Sequence, residues 1–234
     1  MASFELALRH GADGIEFDVQ LSSDGIPMVI HDARLTRTTS GNGWVHEHRA
    51  SVLRRLDAGS WFNRRHRLRA RERYAGARIP LLAEALHWVK ARQCLAFVEI
   101  KDFQPGAAAK VLHEIDRAGV WNLIRLLSFD LPTLQQISEM NPQARLGLDF
   151  SGRLLPVRRA LAFGAEALLP HWAIASKRLI RSAHRVGMKV IPWTVNYPLH
   201  MRRKILDGVD GLITNYPARL TDVLNRIELA RLKG

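Results

Sequence analysis

The sequence predicts an α/β fold, a (β/α) barrel on a largely parallel sheet. Three observations carry that expectation. The chain has 234 residues, close to the ~250 that one such barrel takes. Apolar residues make up 47% of it, which allows a sizeable core and argues against disorder. Short apolar strands alternate with amphipathic stretches along most of its length, as crossover helices over a parallel sheet require.

Strand candidates are residues 14–21, 28–31, 95–101, 124–129, 144–150, 167–170, 189–195 and 211–214. Between them, 80–92 carries Leu82, Leu86 and Val89 at helical spacing. The same holds for 107–118 with Val111, Leu112 and Ile115, and for 176–186 with Leu179, Ile180 and Ala183. Gly119, Gly164 and Gly187 follow helical runs and precede strands, where glycine ends a helix readily.

One strand pair departs from the alternation. Only SSDGIP separates 14–21 from 28–31. So short a link cannot hold a crossover, so the two should form an antiparallel hairpin turning at Asp24-Gly25. Setting that second arm aside leaves seven strands in barrel order, one short of eight. Residues 2–10 read as the second half of a helix stopped by Gly11. The first barrel strand is therefore expected to be missing. No internal repeat or low-complexity linker interrupts the chain, so one domain is expected over 1–234.

The formal net charge is +13, which invites anionic partners. Between positions 62 and 78 stand seven arginines and one acid, Glu72. That segment reads as a solvated helix or loop, or as a phosphate-steering or membrane-surface contact. Nucleic-acid patches interleave aromatics with charge, and only Phe62 and Tyr74 are near, so no specific nucleic-acid binding is expected. The lone Cys94 cannot form an intrachain disulfide, which suits a reducing compartment. Residues 1–10 carry no basic region followed by an apolar run, so no signal peptide is expected, and no run of ~18 apolar residues occurs. The expected location is cytoplasmic, with no transmembrane segment; nothing bears on oligomeric state.

Glu16 and Asp18 lie two apart on a predicted strand, so both carboxylates share one face. Glu99 and Lys101 repeat the spacing on the next barrel strand. Charges facing a barrel interior need compensation. Two readings stand on spacing alone: an oxygen-rich site for Ca2+ or Mg2+, or acids paired with buried Lys or Arg and no metal. His31, at the end of the hairpin's second arm, reads either as a proton-transfer group or as an ordinary rim histidine.

The stretch GADGIEFDVQLSSDGIPMVIHDARLTRTTSGNG at 11–43 resembles the signature region of the glycerophosphodiester phosphodiesterases. Further matches follow in order: LDAGSWF at 56–62, RIPLLAEAL at 78–86, VEIK at 98–101, LLSFD at 126–130, PWTVN at 192–196 and GVDGLITNYP at 208–217. The resemblance implies a TIM-type barrel. It implies metal-dependent hydrolysis of a small glycerophosphodiester to sn-glycerol 3-phosphate and an alcohol. Carried over by motif, Glu16, Asp18 and Glu99 match metal ligands for Ca2+ or Mg2+. His31 matches one of two catalytic histidines, and Lys101 a lysine beside the phosphate. Trp193 matches a tryptophan that packs on the glycerol moiety, with a rim filler as its structural alternative. Arg37, Thr38 and Thr39 match a loop motif of unassigned role. Asn215 stands where the family often has Asp.

The sequence also departs from the family. Members open with a strand bearing His-Arg-Gly and a loop reading Pro-Glu-Asn-Thr, and neither occurs here. His10 ends a helical run and is no substitute. Since one proton-transfer group typically supplies ~10²–10⁴-fold in rate, this exact chain is expected to turn over poorly. The readings left are an enzyme whose start lies upstream, or a truncated, catalytically impaired member that binds only metal or phosphate.

Overall fold

The computed structural model describes residues 1–66, 74–101, 104–152 and 156–232. Four arginines of the Arg-rich segment, at 67, 69, 71 and 73, lie outside the described residues together with Glu72.

In chain order the elements are α1 (Ala2–Arg9), β1 (Gly14–Leu21), β2 (Pro27–Val29), α2 (Ala50–Leu53), α3 (Ser60–Arg65), α4 (Leu82–Arg92), β3 (Leu95–Ile100), α5 (Ala107–Ala118), β4 (Ile124–Ser128), α6 (Leu131–Met140), β5 (Leu146–Phe150), α7 (Pro156–Ala162), β6 (Ala167–Pro170), α8 (Lys177–His184), β7 (Lys189–Val190), α9 (Pro198–Asp207) and α10 (Pro217–Leu232). The strands form one open seven-stranded sheet in the order β2-β1-β3-β4-β5-β6-β7. Apart from β2, strands follow one another in sequence order, as in a (β/α) barrel.

The hairpin is as the short link requires. Val19 lies opposite Val29 and Leu21 opposite Pro27, antiparallel. Gly25 takes φ +73, a conformation that costs a residue without Cβ little, and its N–H donates to Ser22 O at 2.8 Å. Asp24 fixes the turn by accepting from Ser22 Oγ at 2.7 Å and from the Ala50 N–H at 2.9 Å.

Two predicted strands are corrected. Of 189–195 only Lys189 and Val190 form a strand. Pro192 has no N–H to give a ladder, and Trp193 rejoins only as an isolated bridge to His171. Residues 211–214 form no strand. Two bonds tie them in instead: Ile213 N–H to Pro192 O at 3.0 Å and Val195 N–H to Ile213 O at 2.9 Å. Two bonds around a proline do not make a repeating ladder.

The chain divides into two compact units. One comprises residues 1–16, 94–97 and 124–234, the other 17–93 and 98–123. In the first, β4, β5 and β6 run parallel, with Leu126 beside Leu146 and Leu148 beside Leu168. Gly147 makes room in the middle: a Cβ there would press on the side chains of Leu127 and Leu169. Those two leucines, with Ala167, form a core lined by Phe97, Ile191 and Trp193. Gly11, at φ +83, ends α1, and Thr221 of α10 donates its hydroxyl to His10 O at 3.1 Å.

In the second unit a separate core lies beneath the long loop after β2. It holds Met28, Ile30, Leu35, Val45, Leu53 and Ile79. α5 buries Val111, Leu112 and Ile115, the predicted stripe, and stops at Gly119. Asp57 organises the entry to α3. Its carboxylate accepts from Gly59 N and Ser60 N, both at 2.8 Å, from Ser60 Oγ at 2.6 Å and from Gly76 N at 3.0 Å. Those bonds, the Ser60 hydroxyl first, hold its carboxyl well below the usual carboxylate range.

Candidate active site

Strand β1 alternates, and Glu16, Asp18 and Gln20 share the face opposite Ile15, Phe17 and Val19. β3 adds Glu99 by the same rule, and Lys101 follows the strand's last residue. The Lys101 N–H donates to Val19 O at 3.2 Å, which sets the side chains of β1 and β3 in register.

The charges meet. Lys101 Nζ lies 2.9 Å from Glu99 Oε1 and 3.1 Å from Asp18 Oδ1. One oxygen each from Glu16, Asp18 and Glu99 falls within 4.8 Å of the others. Burial pushes the Glu99 carboxyl up, opposed by the Lys101 charge. Burial alone would lower the Lys101 ammonium, but the charges of Asp18 and Glu99 outweigh it and raise it, so the lysine stays protonated. The reading with acids paired to a buried lysine is thus observed at Asp18 and Glu99. Three hard oxygen donors within the span of a single coordination shell fit a divalent cation, and a lysine pairs with two of them.

His31 lies two residues past β2, and its side chain is 65% exposed. Gln20 Nε2 donates to Ile30 O at 3.1 Å and to His31 O at 2.8 Å, which pins this exit to β1. His31 Nδ1 lies 2.7 Å from Asp32 Oδ1. Arg37 grips the same carboxylate through Nε at 2.5 Å and Nη2 at 2.7 Å. The Arg37 hydrogen bond, helped by His31 and opposed by partial burial, pulls the Asp32 carboxyl down to about 2. An ionised carboxylate only accepts, so Nδ1 carries a proton and Nε2 is the ring nitrogen left for proton transfer.

The loop motif after His31 thereby gains partial roles. Arg37 holds Asp32. Thr39 donates to Leu35 O at 2.7 Å and accepts from Gly41 N at 3.0 Å, closing the turn between them. Nothing in the structure explains Thr38.

Trp193 donates its indole N–H to Leu169 O at 2.7 Å. Its ring stands edge-on to Phe129 and His171, at 5.4 and 5.3 Å between centroids. The Trp193–Thr194 peptide is cis. Asn215 gives its backbone N–H to Asn196 Oδ1 at 2.9 Å, and Thr214 donates its hydroxyl to the same oxygen at 3.2 Å. The Asn196 amide thus adds to the backbone bonds that join the PWTVN and GVDGLITNYP stretches.

Three residues went unread in the sequence. Gln20 continues the Glu16–Asp18 period and was visible in it. Asp149, 4% exposed at the penultimate position of β5, and His171, directly after β6, sit at C-terminal strand ends, where barrels carry chemistry.

The model of the Glycerophosphoryl diester phosphodiesterase family matches residues 1–219. The chain belongs to this family. A glycerophosphodiester phosphodiesterase of Caldanaerobacter subterraneus subsp. tengcongensis is 34% identical over 97% of this chain and 91% of its own length. One from Bacillus subtilis is 30% identical, over 92% of this chain and 78% of its own. Among solved structures, an Oleispira antarctica phosphodiesterase in complex with the product sn-glycerol-3-phosphate superposes with TM-score 0.87 at 25% identity, covering 96% of this chain and 90% of that one. As a member of the glycerophosphodiester phosphodiesterases the chain is of the enzyme class read from its motifs, on the TIM-type fold of its neighbours, though its own sheet is open.

Proposed function

We propose that this chain hydrolyses small glycerophosphodiesters to sn-glycerol 3-phosphate and an alcohol, with Ca2+ or Mg2+ held by Glu16, Asp18 and Glu99. The observation that carries the reading is the cluster itself: three carboxylates within one coordination shell of each other, with a protonated lysine bonded to two of them. The product complex of the Oleispira antarctica relative supports the substrate class.

The cation, when bound, neutralises charge on phosphoryl oxygens. Lys101 adds a second positive charge, fixed before substrate arrives. His31 takes or gives a proton at Nε2, because Asp32 holds the opposite nitrogen protonated. Trp193 offers a ring already anchored by its N–H, so packing against the glycerol moiety orders little that was free. The domain acting is residues 1–234. The lone cysteine, buried, suits work in the cytoplasm.

Two measurements on the purified chain test this. Calorimetric titration with Ca2+ and Mg2+ should show binding that Glu99→Gln abolishes. Turnover of glycerophosphocholine or glycerophosphoethanolamine should require the cation and fall in His31→Ala. Cation binding without any turnover would sink hydrolysis and leave a binding protein; no cation binding would remove the metal site.

A further inference from the structure

We propose that helix α9, backed by α8, is a docking face for an anionic lipid bilayer. The argument starts from charge. Residues 177–207 hold eight lysines or arginines and a single acid, Asp207. More than half of the chain's formal +13 therefore sits in this short segment.

The structure places most of those charges on two neighbouring helices, α8 and α9. Lys177 at the start of α8 lies 3.7 Å from Asp207 at the end of α9. Lys204 of α9 donates to Ala175 O, just before α8, at 2.5 Å. The one acid is thus matched, and Lys204 is turned inward and buried. The remaining cations face water. On α8, Ile180 and Ala183 are buried while Arg178, Arg181 and the following Arg185 are exposed.

The outer face of α9 then adds what a solvated face lacks. Met201 and Lys204 point inward. Leu199, Arg202, Arg203 and Leu206 follow at i, i+3, i+4 and i+7, one stripe of the helix. Leu199 is 74% exposed and Leu206 50%. Tyr197, at the helix start, is 67% exposed. Two leucines bracketing two arginines, with a tyrosine at one end, are the components of an interfacial helix: apolar tips for the acyl boundary, cations for lipid phosphates, an amphipathic ring between. A purely aqueous face has no use for exposed leucines at that period. A nucleic-acid face would gain nothing from leucines flanking its arginines on both sides.

The cytoplasmic leaflet carries negative charge that falls off within a Debye length. Docking there would hold the enzyme where deacylation of phospholipids releases glycerophosphodiesters. That consequence rests on the proposed hydrolysis; the docking itself does not.

Co-sedimentation with vesicles decides it. Phosphatidylcholine vesicles containing about one-third phosphatidylglycerol should retain the chain, and pure phosphatidylcholine vesicles should not. Arg202→Glu with Arg203→Glu should weaken retention at least about tenfold, as should Leu199→Ser with Leu206→Ser. The first pair should also flatten the salt dependence; the second should leave it. Arg55→Glu with Arg117→Glu, an equal charge change elsewhere, should retain wild-type binding. Circular dichroism melts verify that each variant is folded. Three results would overturn the proposal: no retention of wild type, equal losses in the Arg55/Arg117 control, or tighter binding to duplex DNA that falls with the same arginine variants. None of these bears on cation binding or turnover of soluble substrate.

Discussion

Asp32 binds His31 and Arg37 at once: 2.7 Å from His31 Nδ1, and gripped by the Arg37 guanidinium through two nitrogens. The arginine keeps the carboxylate ionised, and the carboxylate fixes which imidazole nitrogen is protonated. Asp32→Asn keeps the shape and can turn its NH2 toward Nδ1, favouring the wrong tautomer. kcat should fall about tenfold to a hundredfold with KM nearly unchanged. An unaltered kcat in steady-state assays would show that His31 does not rely on this contact.

Acid stability should report the same carboxylate. Asp32 titrates at about 2 when folded against an ordinary 3.8. A lowered folded value means the contribution is complete above pH 3.8 and disappears as pH falls toward 2. Asp32→Asn should flatten urea midpoints across that window. Arg37 is 58% exposed, so salt should shrink the effect. A slope identical to wild type would refute it.

Asp57 is expected to matter more to folding than to chemistry. Asp57→Ala strands the Gly59 and Ser60 N–H groups and the Ser60 hydroxyl at the start of α3, and the Gly76 N–H beyond it. It should cost about 1–2 kcal/mol by urea denaturation near neutral pH. The loss should narrow in acid, because the native carboxylate is held below its usual range and its contribution fades as it protonates. A constant deficit at every pH would argue that packing is the cause.

Lys101→Met removes the partner of Asp18 and Glu99 while keeping most of the side chain's bulk. Without divalent ion the variant should lose about 2–3 kcal/mol, since it leaves two half-paired acids in a largely enclosed site. Added Ca2+ or Mg2+ should recover more stability in this variant than in wild type. Thermal melts that respond alike to the ion in both proteins would contradict a shared cluster.

At the hairpin tip, Gly25→Ala forces a left-handed conformation on a residue with Cβ, and that Cβ would collide with the Lys110 ammonium. A destabilisation of about 1–2 kcal/mol is expected. Pairing Gly25→Ala with Lys110→Ala should recover only the collision's part. Full recovery in the double variant would locate the whole cost in the lysine.

The sequence held β1, β6 and α5 to the residue, because strong periods and glycine or turn stops bounded them. The carboxylate cluster was legible for a related reason: a period of two fixes which face a strand side chain takes, whatever the fold does next. The grip of Arg37 on Asp32 was not legible. It spans five residues of irregular loop, where no period constrains direction, and it depends on how the chain turns between Leu35 and Gly41. The segment 211–214 failed differently. Its apolar composition reads as strand, but a strand exists only where a neighbour can supply a ladder, and Pro192 cannot donate.

The hydroxyl bond from Thr221 to His10 O crosses 211 positions of chain. During synthesis α1 emerges more than two hundred residues ahead of α10, the helix that receives it. α1 must therefore wait, its inner face without that partner, until α10 leaves the ribosome. Closure of so long a loop is slow as well as late. α1 is thus exposed to premature association while the elements between it and α10 are still being made.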